Sequence, residues 1–273
     1  MKNFLFYAGN ARAGSTWLYG ALNARGDCDF SHIKEHFLFI EGFSLTPDFD
    51  KNDFFDLYAK LSENPQVKLL GEFCVFNGYA SIDQLRWFKE EATKKNFNVL
   101  PVMTLRDPIN KMVSECKLVE NTRRIKEMAG DNEQLFQDIM RDTRKAKIPR
   151  PIFDMSFDIV KSCINKTPFC EREVTWETTI NNLISVFGKV HINFYETLFT
   201  EKSMKSLCDY LEIPMSDFEY SLIRNKQGNG VILTDEQKQF VFDNQKYILE
   251  NYQFAIDRFG KDFIESIWWT PNK

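Results

Sequence analysis

Phe4-Leu-Phe-Tyr-Ala-Gly-Asn-Ala-Arg-Ala-Gly-Ser-Thr-Trp-Leu-Tyr19 is the stretch that decides how this chain is read. An apolar run of strand type meets a loop with Gly9 and Gly14, and a helical pattern follows directly. Strand, glycine loop and helix N-terminus together make a phosphate cradle, because the loop amides and the helix dipole face one anion. The spacing Gly9-x4-Gly14-Ser15-Thr16 is that of a nucleotide phosphate loop except at one place. Ser15 stands where the ATP- and GTP-cleaving version has Lys, and the cation lies inside the loop as Arg12. That displacement argues against an ordinary ATPase. The same residues also fit a plain strand-to-helix turn with Ser15 or Thr16 as N-cap.

Working outward, 273 residues suit one large α/β domain with helical additions, or at most two small ones. No stretch reaches the roughly 18 apolar residues of a membrane span. The chain enters a strand at once, without the basic, apolar and small-residue succession of a signal peptide. A cytoplasmic protein is the expectation. The net charge of −4, from 35 basic and 39 acidic residues, disfavours nucleic acid as the main partner. Residues 41–63 carry six acids and two lysines, whereas 117–150 carry nine Lys or Arg against six acids. The basic run is a solvated helix face or an anion-attracting rim. The six cysteines form no C-x2-C pair and there are three histidines, which points away from zinc and toward reduced, buried thiols.

Short apolar runs alternate with helical patterns. Strands are expected at 3–8, 68–72, 98–105 and 190–195. Helices are expected at 15–25, 52–63, 81–95, 108–129, 132–146, 175–187, 201–212 and 234–259. Alternation of this kind implies a parallel sheet with helices on both faces. Pro101 weakens the middle of the 98–105 strand. The pattern is least regular at 147–172, a candidate acceptor-side loop or cap.

A second phosphate signal closes the 98–105 strand. In Leu105-Arg106-Asp107-Pro108, Asp107 suits an N-cap and Pro108 the first helical position, so Arg106 lies on the loop before a helix. Ligands of parallel sheets bind beyond the carboxyl ends of the strands, where both Arg106 and the 9–16 loop fall. Two phosphate grips on one edge suggest a nucleotide phosphorylated at two places.

Together the two segments resemble the PAPS-dependent sulfotransferases. Gly9-Asn-Ala-Arg-Ala-Gly-Ser-Thr-Trp17 is similar to their 5′-phosphosulfate loop, and Leu105-Arg106-Asp-Pro-x5-Ser114 to their 3′-phosphate motif. Lys34-Glu-His-Phe-Leu-Phe39 resembles the acidic, aromatic segment of the carbohydrate branch. Ile192-Asn-Phe-Tyr-Glu-Thr-Leu-Phe199 and Leu207-Cys-Asp-Tyr-Leu-Glu-Ile-Pro214 are similar to the family's late strand and helix. The likeness runs over most of residues 3–260. It implies a P-loop NTPase-like three-layer α/β fold over 1–273, with a less regular helical and loop insertion around 117–175.

The resemblance also implies roles. Backbone amides from Ala13 through Gly14 to Thr16, with the Ser15 and Thr16 hydroxyls, would hold the 5′-phosphate. Arg12 falls where many members have Lys and the tyrosylprotein branch has Arg. Trp17 falls where cytosolic members stack a ring on adenine. Arg106 and Ser114 would bind the 3′-phosphate. Glu35 falls where the carbohydrate and tyrosylprotein branches place a carboxylate base, with His36 as rival base and a surface pair with Lys34 as the plain alternative. Phe73, after Gly71-Glu72, stands where the carbohydrate branch has a Lys, so one cation is missing or comes from elsewhere. Arg224 and Lys226 only weakly match a late basic loop, and His32 and His191 are expected to be structural.

The chemistry expected is in-line transfer of a sulfuryl group from PAPS to a hydroxyl or amine, leaving PAP and needing no metal. Arg12 would stabilise charge on the departing phosphate and Glu35 would take the acceptor proton. A small molecule or carbohydrate is the favoured acceptor. The alternatives are a P-loop kinase or nucleotide hydrolase using Glu72 or Asp107 for Mg²⁺, and a nucleotide-binding protein without catalysis.

Overall fold

The structure, a computed structural model, describes residues 1–31, 34–39, 51–136, 155–164, 175–220 and 232–271. The chain runs β1 (Lys2–Tyr7), α1 (Ser15–Asn23), β2 (Cys28–Asp29), α2 (Lys51–Leu61), β3 (Leu69–Phe73), α3 (Ile82–Lys94), β4 (Phe97–Leu105) and α4 (Pro108–Ala129). It continues through α5 (Phe157–Cys163), α6 (Trp176–Phe187), β5 (His191–Phe194), α7 (Tyr195–Leu198) and α8 (Glu201–Leu211). The last helices are α9 (Asp235–Asp243), α10 (Lys246–Phe259) and α11 (Lys261–Ile267). Two compact units emerge, one of Met1–Asp107 with Val174–Asn225, the other of Pro108–Glu173 with Lys226–Lys273.

The first unit holds a five-stranded parallel sheet in the order β2-β3-β1-β4-β5. Alternate residues of a strand point to opposite faces, and β1 shows what each face needs. Leu5 and Tyr7 pack with Trp17, Leu18 and Leu22 of α1 and Met204, Leu207 and Leu211 of α8. Phe4 and Phe6 turn to the other face, onto α2, α3 and α6 through Phe54, Tyr58, Leu85, Phe88 and Leu183. That second face is a lattice of rings, with Phe4–Tyr58 at 4.9 Å and Phe6–Phe88 at 4.6 Å between centroids. Truncating any one of these buried rings costs about 3–5 kcal/mol. The expected three-layer α/β fold, helices on both faces of a parallel sheet, is the one found.

Pro101 is tolerated for a local reason. It lies one residue before β5 begins to pair at Val102↔His191, and its carbonyl accepts from the Tyr210 hydroxyl at 3.0 Å. The expected helix at 234–259 is two helices, α9 and α10. They part at Asn244, whose side chain donates to the Phe240 carbonyl at 2.8 Å, and at Gln245, which is extended. β2, α5, α7 and α11 were not expected: two are a turn or less, and α5 lies in the stretch that read as irregular.

The second unit is helical in its described residues. Phe157 of α5 meets Phe240 of α9 edge-on at 5.5 Å, and the Gln245 amide donates to the Ile164 carbonyl at 3.3 Å. Lys111 and Glu115 form a buried ion pair one turn apart on α4. Of the helix expected at 132–146, residues 133–136 are helical and the rest lie outside the described residues. The basic run from 141 to 150, His32, Cys170, Arg224 and Lys226 lie outside them as well. Cys28, Cys74, Cys116, Cys163 and Cys208 are buried and not in disulfides. No described helix is long and apolar enough to cross a membrane.

Candidate functional site

The carboxyl ends of β1, β3, β4 and β5 build one edge of the first unit, and the glycine loop begins there. Past β1 the chain keeps its grip on β4: Ala8 N–H donates to Val102 at 2.9 Å, and Thr104 N–H to Gly9 at 3.1 Å. It then turns through two left-handed residues, Arg12 (φ 62°) and Gly14 (φ 87°), into α1. Gly14 is the N-cap and brings no side-chain cap bond to the helix. Ser15 and Thr16 are therefore inside the first turn, and neither is the cap that the plain-turn reading expects. The first-turn amides of α1 are left pointing outward without an intrahelical acceptor, with no acidic side chain among them. Gly14 is also required by packing, since a Cβ there would lie 3.0 Å from Leu198 and 3.2 Å from Tyr195 of α7.

Arg106 reaches this loop from the end of β4. Its Nη1 donates to the Arg12 carbonyl at 2.7 Å, and its guanidinium lies 4.3 Å over the Tyr195 ring. A left-handed non-glycine residue costs on the order of 1 kcal/mol, and this charge-assisted bond offsets it. The Arg106 Nε is buried and has no hydrogen-bond partner among the described residues. A buried guanidinium N–H is costly to leave unpaired, so the geometry favours a ligand oxygen there. The neighbouring peptide is held by α7 too, as Asp107 N–H donates to Glu196 at 2.9 Å. The glycine loop and the end of β4 are thus joined, and Arg106 braces the loop that it was expected only to accompany. Tyr195 and Glu196, which do this bracing, carried no phosphate signal in the sequence.

Glu35 and His36 face different surroundings. The Glu35 carboxylate accepts from Lys34 Nζ at 2.6 Å, and the same Nζ lies 3.4 Å from Ser15 Oγ, in the first turn of α1. The pair is present as the plain alternative has it, yet its side chains are only 22% and 23% exposed and it sits at the phosphate loop. His36 points inward, its ring edge-on to Phe54 at 5.2 Å and its Nδ1 3.8 Å from Glu72. Leu38 and Phe39 anchor the segment in the aromatic face, Phe39 lying 6.2 Å from Phe6. Burial raises the Tyr7 phenol above its ordinary range, and the Glu35 charge adds to the rise, so Tyr7 stays protonated beneath this edge.

Glu72 is buried and accepts from the Asn77 amide and from His36 N–H, which makes it a clasp between β3 and the 34–39 segment. Gly78 brings the following turn close, where a Cβ would lie 2.5 Å from the Ala8 carbonyl. Phe73 stacks on Tyr7 at 5.2 Å and is core. Trp17 is 4% exposed, edge-on to Phe199 at 4.9 Å and stacked on half-buried Tyr220. At that burial its ring presents no open face to a base. Ala13 is buried, and Thr16 is half-buried at the loop. Ser114 lies half-buried on α4, in the second unit. The His191 imidazole is bonded to Asn193 at 3.0 Å, and burial lowers its pKa. Among the described residues no group of three or more His, Cys, Asp or Glu is placed to hold a metal.

The architecture is similar to the crystal structure of a sulfotransferase from Alicyclobacillus acidocaldarius. The TM-score is 0.55 at 13% sequence identity, covering 94% of this chain and 96% of that one. The fold is that of a sulfotransferase. No protein-family model and no curated protein sequence matches the chain. At this identity the likeness is one of fold.

Proposed function

We propose that the chain is a PAPS-dependent sulfotransferase that moves a sulfuryl group to a hydroxyl or amine of a small molecule or carbohydrate. One observation carries this reading. An uncapped helix N-terminus is ringed by Arg106 and Lys34 as cations and by Glu35 as the carboxylate at the same loop. Cations and open amides suit a charged phosphosulfate, and a carboxylate at the same place suits an acceptor that must lose a proton.

In this mechanism the amides of Ala13 to Thr16 and the Ser15 and Thr16 hydroxyls hold the 5′-phosphate. Arg12 and the helix dipole stabilise the charge that grows on the phosphate oxygen as its bond to sulfur breaks. Glu35 takes the proton of the acceptor as the acceptor oxygen or nitrogen bonds to sulfur, and PAP leaves. Arg cannot surrender its proton, so Arg12 acts by charge and hydrogen bonding alone. Arg106 holds the 3′-phosphate, and its unpaired Nε is the donor available for it. The 34–39 segment favours the carbohydrate and tyrosylprotein branches.

Calorimetry with PAP and AMP, each with and without EDTA, tests the reading. PAP should bind at least tenfold tighter than AMP, because one more charge-assisted contact is worth about 1.5–3 kcal/mol. EDTA should change neither. Equal affinity for AMP, or binding abolished by EDTA, sinks the proposal and favours a metal-dependent nucleotide enzyme.

A further inference from the structure

We infer that Lys34 is the residue that recognises the transferable sulfonate, and that its move onto the sulfonate releases Glu35 for proton transfer; this rests on the sulfotransferase reading above. Lys34 Nζ bridges two groups with different fates in the reaction. It is 2.6 Å from Glu35 Oε1, the proposed base, and 3.4 Å from Ser15 Oγ, beside the amides proposed to hold the 5′-phosphate. A sulfonate attached to that phosphate would bring its negative oxygens within reach of the ammonium. Lys is suited to such a transfer, as a compact charge on a flexible four-carbon stem with three donors. Phe73, at the end of β3, offers no cation and is committed to the ring stack on Tyr7.

The consequence is an order of events. While the loop is empty, the ammonium holds the Glu35 carboxylate, so that oxygen is engaged and not turned to an acceptor. A bound donor competes for Nζ with oxygens lying nearer to the helix N-terminus. Once Lys34 turns to them, Glu35 is unpaired at the point where the acceptor must be deprotonated. The base is thereby uncovered only when there is a sulfuryl group to transfer. PAP has no sulfonate and would leave the Lys34–Glu35 pair in place, so product does not hold the base open.

The test compares PAPS with PAP by calorimetry on the wild-type protein and on Lys34→Met, Lys34→Arg and Glu35→Gln. Met keeps the stem and removes the charge. Lys34→Met should weaken PAPS about tenfold while PAP changes less than about threefold, as expected for loss of one charge-assisted contact. Lys34→Arg should restore most of the PAPS affinity. Glu35→Gln should tighten PAPS several-fold and leave PAP unchanged, because Lys34 no longer has to leave a carboxylate. A merely structural Lys34 would move both ligands together. Equal losses for PAPS and PAP, or no loss for either, overturns the inference while the sulfotransferase reading stands. A wild-type protein that binds neither ligand overturns that reading and the inference with it.

Discussion

Two helices of the first unit begin in opposite ways. At α3, Ser81 accepts from Gln84 N–H and the Gln84 side chain accepts from Ser81 N–H, so both orphan donors are closed off. At α1, the N-cap Gly14 brings no side-chain acceptor, and the first-turn amides face a loop reached by Arg106 and Lys34. Both termini have the same backbone dipole and the same donors to satisfy. The first arrangement stabilises the helix at all times. The second forgoes that local stabilisation and leaves the donors open, and the proposed anion site rests on this difference.

The largest expected effect breaks the open end chemically. Glu35→Gln should lower kcat by about 10²–10⁴-fold once an acceptor is found, with PAP affinity unchanged. His36→Ala serves as the contrast, because its ring lies in the aromatic interior against Glu72. A folded His36→Ala protein without turnover beside an active Glu35→Gln protein would move the base by one residue.

Next in size is Arg106→Ala. It should weaken PAP by roughly ten- to a hundredfold, the value of a charge-assisted contact. Because Arg106 also holds the Arg12 carbonyl, AMP should weaken as well, by a smaller factor. Loss confined to PAP would mean that the loop keeps its left-handed turn without the brace. Parallel titrations of the two nucleotides distinguish these results.

The smallest effect comes from the closed end. Ser81→Ala should cost about 1 kcal/mol of stability, read as a lower denaturant midpoint, with no change in PAP affinity. A change in nucleotide affinity there would show that the two helix starts are coupled, and the contrast between a stabilising and a binding terminus would fail.

What the sequence by itself determined is local in origin. The strand, glycine loop and helix at 2–23 follow from contiguous residues, as do the Pro108 start of α4 and the alternation that gives a parallel sheet. Backbone freedom at Gly14 and the amides of Ser15 and Thr16 need no distant partner to be predicted. The sequence also showed that Arg106 and the loop share one edge, because strand ends of a parallel sheet lie together. It did not show that they touch. That contact depends on Tyr195, some ninety residues beyond Arg106, folding over the Gly14 position. The short β2 and α7 were missed because pieces of two and four residues carry no period of their own. Trp17 had the spacing of a core residue and the place of a stacking ring, and only packing against Phe199 and Tyr220 decided for the core. Along the chain Glu35 holds the base position of the resemblance and His36 is its rival. Tertiary structure gives the two different surroundings, since Leu38 and Phe39 bind the aromatic face while Lys34 ties Glu35 to the loop. Periodicity and turn chemistry act over a few residues and can be read along the chain. Which cation meets which carboxylate depends on side chains brought together by the whole sheet, and that was decided only in three dimensions.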